Sequence, residues 1–486
     1  MRGGRGRWAL GASAGRGGAE LLRDFIARVL SDPSRGYFCA RPDVVGRLER
    51  AWDFNAMAGR AAYERRLGEA YAHAQRAWLT PSEIFRPHYG EAIARFVADD
   101  HIRRAKKGGR AHREQPLRVC EIGAGNGALA ADVLSYLKRE HPILYRTAEY
   151  VTLDVSPGLC AAQEARVRQR DADHAARFES RCEDATSARG WRNLDCGAPG
   201  YAGGHLYVLG LEVLDNLPHD RAVRIGSGDE ARWMETWVRL GEDGATPSTE
   251  ELRPVSDARI AACLRAMHRA DATHPAESGV AAMVRVALDG LLNGGRAVAR
   301  AHRGAAFMPT GALALLEHLA AASASGSHTL VLADFDALPD VKIAGRNAPL
   351  VARTIEGRAV DVDTYLVTPT PHSLPPAPAH AQADVQARGR GGREGMRGNE
   401  AVGAGGSFDC DVFFPTDFAM LCAMYDEAMG GLGEGTGWRV ARTHTSSREF
   451  FGRHARVGAT QTRSGYNPLL EDFVNTRVFV GSRQRA

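Results

Sequence analysis

Residues 119–132 read VCEIGAGNGALAAD: an apolar run, three alternating glycines and a stretch able to form a helix. Glycine after a strand permits positive φ and close backbone approach, and the first amides of a following helix offer free donors to a ligand. Gly123, Gly125 and Gly127 are spaced G-x-G-x-G. Pyrophosphate binders carry G-x-G-x-x-G and rest the pyrophosphate on the helix terminus. Glu121 stands two residues ahead of the first glycine, where it would repel a pyrophosphate. An acidic cradle suits the ammonium and sulfonium of S-adenosyl-L-methionine better. Taken alone, the loop also fits an ordinary structural turn.

The residues that follow narrow the choice. Five segments read as strands: LRVCEIG (117–123), EYVTLDVS (149–156), ARFESRCEDA (176–185), HLYVLGLEV (205–213) and HTLVLADFD (328–336). Helical stretches separate the early ones, so the pattern predicts βαβ units and a parallel sheet covered on both faces. Asp154 closes the second strand, where a carboxylate can accept both ribose hydroxyls. Asp184 follows the third, within reach of an adenine amino group. Each acid singly is also an ordinary loop or cap residue. Their arrival at successive strand ends favours a methyltransferase.

The fourth strand ends in GLEVLDNLPHD, which crowds Glu212, Asp215, Asn216, Pro218 and Asp220 at the sheet's carboxyl edge, beside the donor's methyl group. Two acceptors suit such a cluster. A carboxylate pair can hold a guanidinium by bidentate bonds. Asn-then-Pro is also similar to the loop of enzymes that methylate base amino groups, although Leu217 and His219 stand where that loop needs a stacking aromatic. The chemistry is direct displacement at the methyl carbon, with alignment supplying most of the rate and a carboxylate taking the proton. No Ser-His-Asp, Cys-His or metal-ligand spacing competes with it.

The chain of 486 residues is 44% hydrophobic and 25% charged, enough for a substantial core, and its net charge of +4 is too balanced to imply nucleic-acid binding. Eight scattered cysteines with no CxxC pair read as reduced thiols. No apolar stretch is long enough to span a membrane. Residues 1–19, rich in Ala, Gly and Arg, read as a mitochondrial transit peptide or a disordered tail. Residues 20–115 form a mostly helical amino-terminal cap and linker. The catalytic core follows at 116–370, with an insertion at 214–327 over the binding edge. Residues 371–407, with an RGRGGR stretch, read as a disordered low-complexity insertion, and 408–486 complete the core.

The ordered segments GYF (36–38), WLTPSEIFRPHYGEAIARF (78–96), EIGAGNGALAADVLSYL, YVTLDVSPGLCAAQ, LGLEVLDNLPHD and DVFFPTDFAML resemble the MidA-like family, which includes the mitochondrial arginine methyltransferase of respiratory complex I assembly. That resemblance implies a class I S-adenosylmethionine-dependent methyltransferase fold: α/β, Rossmann-like, with a mostly parallel seven-stranded sheet, a helical cap and inserted substrate elements. It implies S-adenosyl-L-methionine as cofactor, a protein substrate in a complex I core subunit, and the mitochondrial matrix as location. Donor binding would fall to Glu121, Gly123, Gly125, Gly127, Asp154 and Asp184, and catalysis to Glu212 and Asp215. No metal, nucleic-acid partner or transmembrane segment is expected, and the expected assembly is a homodimer. The alternatives are amino-group methylation of RNA or a small molecule, or a non-catalytic assembly factor. The family's G-P-G-R-G-T reads Gly-Ala-Gly-Asn-Gly-Ala here, and its Asn-Glu reads Leu211-Glu212, which marks a divergent branch.

Overall fold

The computed structural model describes residues 18–40, 44–74, 78–107, 115–194, 204–244, 246–273, 304–355, 358–370, 406–430 and 437–485. Residues 1–17 of the basic leader and 371–405 of the low-complexity segment, including RGRGGR, lie outside the described residues.

Leu22, Phe25, Ile26, Val29 and Leu30 recur at three- and four-residue intervals, and helix α1 (Leu22–Ser31) buries all five. Two more helices, α2 (Arg60–Ala74) and α3 (His88–Lys107), belong to the same amino-terminal part. Tyr89, Ile93 and Val97 of α3 enter a core with sheet residues Val119, Tyr150, Tyr207, Leu209 and Val331. This part is not purely helical, because Ala19–Leu21 pairs antiparallel with Arg232–Leu240.

The central sheet has seven strands: β1 (Arg118–Ile122), β2 (Glu149–Asp154), β3 (Phe178–Cys182), β4 (His205–Leu211), β5 (Ser327–Phe335), β6 (Trp438–Ser446) and β7 (Thr476–Arg485). Their spatial order is β6-β7-β5-β4-β1-β2-β3. Strands β5, β4, β1, β2 and β3 run parallel, while β7 is antiparallel to both β5 and β6. The α/β class and mostly parallel sheet expected from the sequence are therefore observed. All of β1 is buried because both faces are covered. Cys120, Ile122, Val208 and Leu332 line one core, and Val119, Leu209 and Val331 the other, the period of two that a strand imposes.

Helix α4 (Ala128–Glu140) connects β1 to β2, and α5 (Pro157–Arg170) connects β2 to β3. The chain leaves β1 toward β2, whereas β4 lies on the other flank of β1, with Ile122 between Leu153 and Gly210. The carboxyl ends of β1 and β4 thus flank the switch point where open α/β sheets bind ligands. The glycine loop follows β1, and the Glu212 loop follows β4.

Between β4 and β5 the chain builds a second, antiparallel sheet from Asp220–Ile225, Arg232–Leu240, Pro247–Pro254 and Ala305–Met308, joined by Ala19–Leu21. Its first two strands pair with Ala222 opposite Glu235. A third sheet sets Cys410–Phe413 and Arg358–Val362 on either side of Leu350–Ile355 and carries Asp411.

Candidate functional site

Gly123, Gly125 and Gly127 sit at φ +64°, +53° and +79°, the left-handed region that only glycine enters without strain. Gly127 caps α4 without a side-chain acceptor, so the first amides of that helix have no capping partner. Gln163 of α5 fixes the loop from beneath. Its amide nitrogen donates to the Gly125 carbonyl (2.9 Å) and to Asp154 Oδ2 (3.0 Å), and its oxygen accepts from the Thr152 and Ser180 hydroxyls (2.7 and 2.8 Å). Asp154 Oδ1 accepts from the Ser156 amide at 3.0 Å. Burial still lifts the Asp154 carboxyl to about 6 against these donors.

Glu121 is buried in β1 under the loop, where it accepts the Tyr150 hydroxyl at 2.7 Å. Burial, opposed by that bond, raises it to about 7. Asp184 closes its own turn after β3, with Oδ1 accepting from the Thr186 amide (2.7 Å) and hydroxyl (2.8 Å). The structure thus joins the glycines and Asp154 through Gln163, puts Glu121 one layer below, and leaves Asp184 at the next strand end in a local turn.

The amino-terminal segment is wired to this loop. Asn126, between the last two glycines, donates to the Gly46 carbonyl at 2.8 Å and accepts from Arg166, three residues past Gln163 on α5. Arg166 pairs with Glu83 at 2.8 Å, and Glu83 accepts the Leu48 amide at 2.8 Å. Glu83 and Arg166 are 1% and 5% exposed, so each is the other's counter-charge in a region that excludes water. Glu83→Ala should therefore lower stability by about 3–5 kcal/mol, because an unpaired buried guanidinium remains. Urea denaturation checks this; a loss below about 1 kcal/mol would contradict the pairing.

At the other half of the switch point, Glu212 follows β4 with φ +54°, a conformation costly for a residue with a side chain. Its amide donates to the Ala333 carbonyl at 2.8 Å, which continues the β4–β5 pairing by one residue. Asp334, near the end of β5, collects the amides of Leu214 (2.8 Å), Asp215 (3.2 Å) and Phe335 (2.8 Å). It is the brace that shapes the Glu212–Asp215 turn. Asp411 arrives from the third sheet and accepts from Asn216 Nδ2 at 2.9 Å.

Glu212, Asp215, Asp334 and Asp411 form one carboxylate cluster. Burial, then the Asp334 charge, pushes Glu212 up to about 8. Burial first, then Asp334, Glu212 and Asp411, pushes Asp215 well above the carboxylate range. Asp334 and Asp411 are each raised to about 7, mainly by burial. Asp215 Oδ1 is buried with no hydrogen-bond partner, and no side-chain partner of Glu212 occurs among the described residues. The described residues hold no group of three or more His, Cys, Asp or Glu arranged to bind a metal. Tyr71 of α2 and Tyr89 of α3 stand near enough that, after desolvation, the Glu212 charge helps keep their phenols protonated.

Asp220, read from the sequence as part of this cluster, is not in it. It is held by Arg23 (2.9 Å) and the Thr310 hydroxyl (2.7 Å), where the second sheet begins. His219 is stacked on Phe414, ring centroids 3.9 Å apart. The residues missed from sequence are Gln163, Glu83 with Arg166, Asp334 and Asp411. Asp334 carried a signal as an acid near the end of the fifth expected strand, while Glu83, Gln163 and Asp411 lay inside the segments that carry the family resemblance without being singled out.

A sequence-family model described as "Putative S-adenosyl-L-methionine-dependent methyltransferase" matches residues 98–369. A Burkholderia thailandensis protein, described as "a COG1565 superfamily member and likely methyl transferase" and crystallised with S-adenosyl-homocysteine, is similar over 96% of this chain and 88% of its own, with 16% identity and a TM-score of 0.51. A second crystal structure from that organism covers 96% and 87% at 16% identity, with a TM-score of 0.49. Geranyl diphosphate C-methyltransferase from Streptomyces coelicolor covers 96% and 98% at 9% identity, with a TM-score of 0.31. No curated protein matches. The first of these likenesses shows a shared fold.

Proposed function

The chain belongs to this family of S-adenosyl-L-methionine-dependent methyltransferases, which the match over more than half its length shows, and from that premise we propose that it methylates arginine side chains of a protein. The observation that carries this reading is a pair of carboxylates with spare acceptor capacity, Asp215 with its orphaned Oδ1 and Glu212 in its strained turn. Burial raises all four carboxyls, and neighbouring carboxylates add to it at Glu212 and Asp215, so a bound cation would be favoured there. A guanidinium supplies one that is planar, permanently charged and able to bridge two carboxylates.

The donor edge fits its ligand. The three left-handed glycines, the uncapped α4 amides and the buried Asp154 would hold it, with Asp184 toward the adenine. S-adenosyl-L-methionine supplies, when bound, a methyl group on a sulfonium that a nitrogen nucleophile can displace. Glu212 and Asp215 would orient the guanidinium and localise its charge away from the attacking nitrogen. Glu212, poised near 8, would take the proton released on transfer. Asp334 keeps both in place through the turn's amides. Base methylation is less well served, because His219 is engaged with Phe414 and Asn216 with Asp411.

The ordered motifs resembling the MidA-like family support an arginine of a complex I core subunit as acceptor and the mitochondrial matrix as the place of action. The test is transfer of labelled methyl to recombinant complex I core subunits, with label expected in arginine. Label in RNA, or in lysine, would overturn the assignment.

A pH dependence follows from the cluster. Guanidinium binding needs ionised carboxylates, and these ionise between about 7 and 8 or above. The KM for an arginine-bearing peptide should therefore fall by about tenfold from pH 6.5 to 8.5. A flat KM profile would contradict the clamp.

A further inference from the structure

A circuit of contacts runs from the donor loop through the acceptor turn and back. Cγ2 of Val213, in the Glu212–Asp215 turn, lies 2.8 Å from where a Cβ on Gly123 would stand. From the end of the same turn, Asn216 Nδ2 donates to Asp411 Oδ1 at 2.9 Å. Phe413 is two residues further along that strand, and so on the same face as Asp411. Its ring meets that of Trp78 edge to face, with centroids 6.1 Å apart. Trp78 forms a parallel bridge with Val45: its amide donates to the Val44 carbonyl (2.9 Å), and its carbonyl accepts from the Gly46 amide (2.8 Å). Bridged residues point to the same side, which sets the indole beside the Val45 side chain. Cγ1 of Val45 lies 3.2 Å from where a Cβ on Gly125 would stand, and the circuit closes. Gly123 is exposed, and Glu212 and Val213 are partly so, which leaves the ring open to solvent on both its donor and its acceptor side.

We propose that Trp78 is the platform for the acceptor, its indole face stacking on the guanidinium whose edge Glu212 and Asp215 hold. This rests on the arginine reading of the site. Among the described residues, Trp78 is the one tryptophan in the set of exposed large apolar side chains, at 38% exposure. Its Nε1 donates to the Tyr37 hydroxyl at 3.1 Å, so the polar handle of the indole is turned inward and fixed. Tyr37 and Phe413 hold the ring from two elements, and what remains open is apolar carbon. A tryptophan normally gains by presenting its N–H to water and covering its ring. The reverse arrangement, beside the acceptor acids, suits a ligand with a flat and weakly hydrated face.

A guanidinium is such a ligand. Its N–H donors all lie in the plane, where carboxylates take them, and its two faces carry no hydrogen-bonding capacity. Asp215, 7% exposed with Oδ1 unpartnered, offers an acceptor to the edge, and the indole quadrupole attracts the charge through the face. Carboxylates and platform therefore use different parts of one group. A lysine ammonium is a strongly hydrated point charge with no face to stack. A nucleobase would stack but bring no cation to Asp215.

The test uses the full-length protein, with the recombinant subunits of the transfer assay as acceptor. W78F keeps a smaller aromatic face, and W78L keeps apolar packing on Phe413 without one. The KM for the acceptor should rise about threefold in W78F and about tenfold in W78L, with kcat within threefold of the parent in both. Calorimetry with S-adenosyl-homocysteine should give affinities within twofold of the parent, which also reports an intact fold and a covered glycine loop. An unchanged KM in W78L, or an equal rise in W78F and W78L, would overturn the stacking. A loss of donor affinity in step with the rise in KM would make Trp78 a prop for Val45 and overturn the platform. Each of these results leaves the arginine reading standing when the parent labels arginine. A parent protein that labels no arginine overturns that reading, and the platform with it.

Discussion

Glu212→Gln should reduce methyl transfer by a thousandfold or more, leave donor affinity within about twofold, and make the folded protein more stable at pH 8. Gln keeps the size of the side chain and its turn but can neither neutralise a guanidinium nor take a proton. Loss of a charge at the reacting centre typically removes about 3–4 kcal/mol of barrier lowering, a factor of hundreds to a thousand, and loss of the proton acceptor adds to it. The stability gain has the opposite origin. The carboxyl of Glu212 is raised from 4.5 to about 8 by burial and by Asp334, so the folded state binds a proton that the unfolded state releases. That contribution to stability is complete below about 4.5 and is lost as pH rises through 8. The full shift corresponds to at most about 5 kcal/mol, and water access to a half-buried group leaves about 1–2 kcal/mol. Urea denaturation of the two proteins should therefore nearly coincide at pH 4.5 and diverge by pH 8, with the variant the more stable. Activity within tenfold of the parent would remove Glu212 from the reaction.

The parts of this site that were legible in the sequence are those set by local rules. A strand ending in alternating glycines fixes where the backbone must turn left-handed, and Gly123, Gly125 and Gly127 all do. Acids at the ends of successive parallel strands fall on one edge of the sheet, so Asp154, Asp184, Glu212 and Asp215 could be placed without coordinates. Partnership across the chain was not legible. Asn216 meets Asp411 195 residues away, and Arg23 takes Asp220 out of the cluster across 197 residues. No periodicity encodes either contact. Gln163 and Arg166 looked like ordinary residues of a covering helix, yet their spacing of three turns both toward the loop. The edge strand β6, WRVARTHTS, was invisible for a different reason. It pairs on one side only and carries polar residues along much of its length, so it lacks the apolar run by which the buried strands were found.

The second large effect is expected at Gly125, where replacement by Val should weaken binding of S-adenosyl-homocysteine by a hundredfold or more. Two costs combine there and can be separated. The backbone sits at φ +53°, which costs a residue with a Cβ about 1–2 kcal/mol and a β-branched one more. A Cβ at this position would also lie 3.2 Å from Cγ1 of Val45, the amino-terminal residue that covers the loop. Gly125→Ala meets the backbone strain and one tight contact that Val45 can relieve by a small shift, so about tenfold weaker binding is expected. The two methyls of Val force Val45 and its neighbour Gly46 outward, and Gly46 is where Asn126 is anchored. Adding Val45→Ala to Gly125→Val should therefore recover part of the affinity but leave at least the tenfold deficit of the backbone. Full recovery would mean that the left-handed turn is dispensable for the donor. No recovery would mean that the covering segment takes no part in holding the loop closed.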